Sequence, residues 1–314
     1  MQIADFHIPL KGNLSNMIDP LLLLPDFLLI VCGFVLCRYT TFQRPVWEVV
    51  ERLVYHLLFP ALLFASIVKS PLRPGDAAHL ALGGVLVVGT GIGLVYTLHW
   101  WPGVNTRMLA SGAQIAFRFN SYIALALAQR LAGASGVAWI AILIALCVPL
   151  CNAGAVWFLA RHGGQDSWKE MIRNPLILST LSGLFIQISG IPLPEWLTGT
   201  VGRIGQAALP MGLLAVGAGL RLGGLATAPY LATTLLAIRH ALLPALAIGL
   251  GMVLGLPSQQ KMILLAFASL PTASSAYVLA VRMGGHGPFV AGLITVSTLL
   301  GMATVPFWLS VAPH

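Results

Sequence analysis

Charged residues are scarce in this sequence. They make up 8% of its 314 residues, whereas hydrophobic residues make up 58% and the mean hydropathy is +0.89. A typical soluble domain is about a quarter charged. Apolar runs of at least about eighteen residues, the length that membrane-spanning helices need, recur along almost the whole chain. The scarcity of charge therefore excludes a soluble fold and predicts an all-α membrane protein.

Acidic residues are rarer than basic ones, nine against seventeen, so the net charge is +8. The basic residues are scattered between apolar runs, which indicates loops facing cytoplasm and anionic lipid rather than a nucleic-acid interface. Asp26 lies one turn into the first apolar run, and the other carboxylates occupy connectors or the ends of runs. Sodium coordination by buried carboxylates and a carboxylate proton relay therefore lack obvious residues.

The sequence contains no HExxH, GxSxG or Walker motif and no Asp pair inside a helix, so we expect neither an enzyme, nor an ATP-driven pump, nor a cofactor. Cys147 and Cys151 share a helix face but have no His or carboxylate neighbours. We interpret them as small buried hydrophobic residues rather than a metal site. The N-terminus lacks the pattern of a signal peptide, so the first helix is expected to be retained.

The most polar connector, residues 161–174, divides the chain nearly in half. Five apolar runs precede it in residues 1–160, and five follow it in residues 175–314. The two halves also align locally, with Pro60 on Pro210 and Tyr122 on Tyr277. An odd number of helices per repeat inverts the second copy. We therefore predict about ten transmembrane helices in a 5+5 inverted repeat, with kinks at Pro60 and Pro210.

Basic residues in the short loops also predict the orientation. Eight lie on the side of the central connector and six on the other side. The excess predicts that residues 161–174 are cytoplasmic and that both termini lie outside the plasma membrane.

Two apolar segments at corresponding places in the two halves carry interruptions. In RMLASGAQIAFRFNSYIALALAQRLAG (107–133) an Arg stands near the middle, where it costs about 2.5–3.5 kcal/mol on insertion scales and normally faces a polar cavity. In MILLAFASLPTASSAYVLAVRMGG (262–285) a Pro should break the helix and expose a half-helix N-terminus that favours an anion. Paired interruptions of this kind indicate a transporter binding site. The predicted substrate-binding residues are Arg118, Asn120, Ser121, Tyr122, Pro271, Thr272, Ala273, Ser274 and Ser275.

A plainer interpretation stays open for these segments. Pro271 could be a simple kink, and Asn120 and Ser121 could be hydrogen-bonding residues between helices. Three further residues could form a proton or charge relay: His56, Arg239 and His240. Equally, Arg239 could satisfy carbonyl groups at a helix end, and His56 could make a structural hydrogen bond before Pro60.

The chain resembles the auxin efflux carrier family, including its bacterial malonate- and malate-permease-like members. The resemblance covers nearly the whole chain and rests on the helix pattern, the interruption at Asn120 and three segments: ERLVYHLLFPALLFASIV (51–68), AALPMGLLAVGAGL (207–220) and ASLPTASSAYVLAVRMGG (268–285). One departure is informative. Where bacterial relatives read roughly FGNTGFIGLP, this chain reads FRFNSYIALA, which adds Arg118 to the expected pocket.

The resemblance implies an architecture like that of the bile-acid symporters, with two broken helices crossing at the site. It implies a dimerising scaffold domain (20–70 and 175–222) and a transport domain (77–160 and 228–312) that moves like an elevator. The predicted function is secondary transport or uniport of a small organic anion, a carboxylate. A sodium-coupled organic-anion symporter and a membrane sensor that binds an anion without moving it remain as alternatives.

Overall fold

The computed structural model describes residues 24–69, 77–160, 175–220, 227–273 and 275–311. Every regular element in these ranges is helical, and none of the described residues forms a strand. The helices are α1 Leu24–Tyr39, α2 Arg44–Lys69, α3 Ala78–Trp100, α4 Thr106–Gly112, α5 Gln114–Phe117, α6 Ser121–Ala160, α7 Pro175–Ser189, α8 Glu195–Ala218, α9 Pro229–Val253, α10 Ser258–Ser269, α11 Ser275–Arg282 and α12 Gly287–Val311.

Six helical stretches in the described residues are long and apolar enough to cross a membrane. They are α2, α3, the stretch Thr106–Leu159, α8, α9 and α12. The prediction of an all-α membrane protein is therefore confirmed. The number of ten spans and the inverted 5+5 repeat stay predictions, and the central connector 161–174 lies outside the described residues.

The helices pack as two sets, which we call the first and second packing groups. In the first group α1 packs along α8, and α2 packs against both α7 and α8; the second group contains α3 to α6 and α9 to α12. The two groups meet mainly through α6, which packs on α2, α7 and α8. The division into scaffold and transport domains stays a prediction.

Glycines allow α1 and α8 to approach closely. A Cβ atom added at Gly217 would lie 1.7 Å from the Ile30 carbonyl oxygen, and one added at Gly33 would lie 1.9 Å from the Leu214 carbonyl oxygen. Small residues at helix crossings have this role in membranes, where packing rather than hydrophobic burial drives association. The crossing therefore requires a hydrogen atom at both positions.

Prolines shape the helices α2 and α9 in the same way. Each contains a π-helical turn, Val54–Leu58 in α2 and Ile238–Leu242 in α9, and each turn is followed two residues later by a proline, Pro60 or Pro244. Pro244 has no N–H to give to the carbonyl of His240. That carbonyl instead accepts a hydrogen bond from Trp308 Nε1 at 2.8 Å. In α8, Pro210 comes three residues after a turn at Ala207.

Candidate functional site

Two helical interruptions face each other inside the second packing group. The first separates α5, which ends at Phe117, from α6; the second separates α10, which ends at Ser269, from α11. At Arg118 and Leu270 the backbone becomes extended, with ψ of 138° and 143°. The Asn120 N–H donates to the Pro271 carbonyl oxygen at 2.9 Å. The two interruptions therefore cross in direct contact.

Asn120 shapes the start of α6. Its Oδ1 accepts hydrogen bonds from the backbone N–H groups of Tyr122 at 3.0 Å and Ile123 at 3.3 Å, which makes it the N-cap of the helix. The side-chain nitrogen makes no hydrogen bond to any described residue. Asn120 thus uses its oxygen for the fold and retains a donor for a ligand.

Two contacts with α12 hold the second interruption in place. The backbone N–H of Thr272 donates to Ser297 Oγ at 3.0 Å, and the ring of Pro271 would lie 3.2 Å from a Cβ added at Gly301. Thr272 is fully buried. Gln114, which the sequence reasoning missed, joins the two broken helices because its Nε2 donates to the Ala276 carbonyl oxygen at 2.8 Å.

A cavity of about 250 Å³ lies at the crossing. Six of the residues predicted from sequence line it: Arg118, Asn120, Ser121, Tyr122, Ala273 and Ser275. Two others, Pro271 and Thr272, are buried and do not line it, and Ser274 lies outside the described residues. The lining also includes residues not predicted: Tyr55, Phe119, Val148, Cys151, Asn152 and Leu176. Among these, Asn152 could have been suspected as a polar residue in an apolar run.

Side chains of the first packing group also line the cavity. They are Tyr55, from the π turn of α2, and Leu176, from α7. One turn beyond Tyr55, the ring of Phe59 stacks on that of Tyr122 with centroids 4.7 Å apart. The cavity is therefore bounded by both packing groups.

Arg118 brings a positive charge to the cavity. Nη1 donates to Ser275 Oγ at 3.2 Å, Nη2 donates to Asn152 Oδ1 at 2.9 Å, and Nε is buried without a hydrogen-bond partner. The ion pairs among the described residues join Arg44 to Glu48 and Glu51, and Arg130 to Asp26. Arg118 thus meets only neutral acceptors, in a setting where an uncompensated charge is costly.

Comparison with known proteins points to a membrane transport protein. Residues 155–309 carry the membrane transport protein domain (Mem_trans) of the auxin efflux carrier family. The chain is therefore a membrane transport protein and not an enzyme.

Two relatives align with this transporter over most of its length. A protein from Rhizobium meliloti (strain 1021), named "Putative malonate transporter", is 25% identical over 299 residues, which are 90% of this chain and 92% of the relative. An "Uncharacterized transporter" from Methanothermobacter thermautotrophicus (strain Delta H) is 24% identical over 290 residues, 89% of this chain and 94% of its own. Both alignments therefore extend well beyond the matched domain.

Arg239 of the transporter caps the end of α10. Its side chain is fully buried; Nε donates to the Leu270 carbonyl oxygen at 2.5 Å and Nη2 to the Phe267 carbonyl oxygen at 3.2 Å. These carbonyls lie at the interruption, where helix-end carbonyls lose their usual donors. The Phe267 carbonyl keeps one long hydrogen bond, from the Leu270 N–H at 3.5 Å. The contacts match the helix-end role that the sequence left open for this residue.

Of the two histidines proposed for a relay, His240 makes hydrogen bonds to α12 and His56 makes one within α2. His240 pairs through Nε2 with Ser297 Oγ at 2.9 Å and through Nδ1 with Thr304 Oγ1 at 3.0 Å. The exposed His56 pairs through Nδ1 with the Arg52 carbonyl oxygen at 2.9 Å. Neither histidine, nor Arg239, is among the described residues that line the cavity.

Proposed function

We propose that this transporter carries a small organic anion, a carboxylate, through the cavity at the crossing of its two interrupted helices. Arg118 neutralises the carboxylate, and Asn120 donates to it through its side-chain nitrogen. Ser121, Tyr122, Ala273 and Ser275 complete the binding surface, and Pro271 and Thr272 shape the second interruption.

The observation that carries this proposal is the state of Arg118. Its guanidinium is buried beside the cavity, one of its nitrogens is orphaned, and no described carboxylate pairs with it. A charge placed inside a membrane normally has a counter-charge or faces a pathway. A substrate carboxylate supplies the missing counter-charge through a charge-assisted hydrogen bond. The relative named as a malonate transporter makes malonate the first compound to test.

The transport mechanism that we propose is alternating access of the elevator type. The second packing group would move as the transport domain against the first group, which would act as scaffold and hold a homodimer together. This proposal includes about ten spans in an inverted 5+5 repeat, a cytoplasmic connector 161–174 and both termini outside. Support comes from the cavity wall, to which both packing groups contribute.

Membrane potential sets the favoured direction for an anion. An inside-negative potential contributes about 2.3 kcal/mol per charge per 100 mV, so outward movement of an anion needs no coupled ion. Import would need a proton or another coupled ion. We therefore propose uniport or secondary transport, with a sodium-coupled symporter as the alternative and a non-transporting anion sensor as the second alternative.

Flux into liposomes tests this proposal. The purified protein is reconstituted, and uptake of labelled malonate is measured with and without a sodium gradient. We expect uptake in the parent and in Arg203→Ala, which removes an exposed arginine of α8, but strongly reduced uptake in Arg118→Ala and Asn120→Ala.

Each alternative has its own signature in the same assay. Uptake that requires sodium supports the symporter, and binding of malonate in detergent without flux supports the sensor. Equal flux in the parent and in Arg118→Ala would show that the anion does not depend on the crossing, and this would overturn the proposed site.

A further inference from the structure

Asn152 holds Arg118 at the wall of the cavity. It lies 34 residues after Arg118, in the second half of α6, and its Oδ1 accepts from Nη2 at 2.9 Å. Ser275, the first residue of α11, accepts from Nη1 at 3.2 Å. All three residues line the cavity. The guanidinium is thus fixed at two points, one on each of two helices.

Both acceptors orient the guanidinium without neutralising it. An arginine side chain remains charged under all ordinary conditions. An amide or hydroxyl oxygen satisfies its N–H groups but carries no charge, whereas a carboxylate would satisfy the same donors and cancel the charge. The chemical identity of residue 152 therefore decides whether the cavity of the empty protein is cationic or neutral.

We propose that Asn152 determines the charge specificity of this site. It is a positioning residue: it directs Arg118 into the cavity and leaves the positive charge of Arg118 available to the ligand. An aspartate has almost the same size and would keep the hydrogen bond, but it would act as a built-in counter-ion in place of the substrate. This inference rests on the proposed function, because it assumes that an anion enters the cavity.

The first measurement needs no ligand. Thermal unfolding is compared for the parent, Asn152→Asp, Arg118→Met and the double variant. We expect Asn152→Asp to raise the unfolding midpoint in the parent background, because it completes an ion pair. In the Arg118→Met background the same change should lower the midpoint, because it leaves a carboxylate without a partner. Shifts of the same sign in both backgrounds would overturn the inference.

The second measurement is ligand choice. Binding of malonate and of its neutral diamide, malonamide, is measured by calorimetry in detergent. The parent should prefer malonate, and in Asn152→Asp the ratio of the two affinities should fall at least about tenfold. Asn105→Asp is the matched control, because Asn105 is an exposed N-cap of α4 that aspartate replaces equally well.

The outcomes separate the inference from the proposed function. If the parent binds no malonate or other small carboxylate, the proposed function fails and the inference fails with it. If the parent prefers malonate and Asn152→Asp has the same preference, only the inference fails. A loss of preference in both Asn152→Asp and Asn105→Asp would assign the effect to net charge and would also overturn it.

Discussion

Asp26 and Arg130 form a two-point ion pair between α1 and the first half of α6. Arg130 Nη2 donates to Asp26 Oδ1 at 2.9 Å, and Arg130 Nε donates to Oδ2 of the same carboxylate. Because α1 packs along α8, the pair joins a helix of the first packing group directly to the second group. Arg130 immediately precedes the end of a helical segment, since the backbone is non-helical at Ala132 and Gly133.

If the two packing groups slide during transport, this ion pair has to break in every cycle. We therefore expect Asp26→Asn to speed malonate exchange in liposomes by about two- to fivefold, which corresponds to about 0.5–1 kcal/mol in a barrier. The pair is partly exposed, at 30% for Arg130 and 16% for Asp26, so stability should fall by less than about 1 kcal/mol. Arg130→Gln should have the same effect, and the double variant should add nothing further. An unchanged or slower exchange would contradict the breaking of this ion pair during transport.

We predict that one methyl group added at the crossing of α1 and α8 strongly lowers the stability of the protein. Gly217→Ala would place its Cβ 1.7 Å from the Ile30 carbonyl oxygen, so the helices must separate. We expect a loss of stability of about 1–3 kcal/mol or more in thermal unfolding. Gly199→Ala, in the same helix, has no neighbour within 4 Å and should be neutral or stabilising. Equal midpoints for the two variants would contradict the close approach.

The sequence shows where the helices cannot continue, because polar residues and proline are costly in an apolar helix. This is why the segments around Asn120 and Pro271 stand out without any structure. It does not show which residues meet across the fold. Arg118 and Asn152 are 34 positions apart in the chain, and Asp26 and Arg130 are 104 apart, so no local sequence pattern reveals either contact.

The same limit applies to the backbone near prolines. The sequence predicts that Pro60 disturbs its helix, but a kink, a break and a π turn all remove the same hydrogen bond. The structure has a π turn at 54–58, which brings Tyr55 to the cavity. Tyr55 was missed because the sequence does not show which of these distortions the helix adopts.

Arg239 and Arg118 are both buried arginines, yet we expect opposite consequences from replacing them. Arg239→Met leaves the Leu270 carbonyl without its side-chain donor and the Phe267 carbonyl with only the long bond from the Leu270 N–H, so ligand-free stability should fall by about 2–4 kcal/mol. Arg118 instead donates to two side chains that line the cavity, so Arg118→Met should change ligand-free stability little while malonate binding is lost. Thermal unfolding with and without malonate checks both. A stable Arg239→Met variant that has lost only transport would restore the charge-relay interpretation.

The hydrogen bond between Trp308 and the His240 carbonyl depends on Pro244, because a residue with an N–H at 244 could serve that carbonyl from within the helix. Trp308→Phe keeps the aromatic ring but leaves a buried carbonyl unsatisfied. We expect thermal unfolding to report a loss of about 1–3 kcal/mol. In a Pro244→Ala background the same substitution should cost clearly less, since the new amide can replace the indole donor. Equal losses in the two backgrounds would show that Trp308 stabilises the transporter by packing alone.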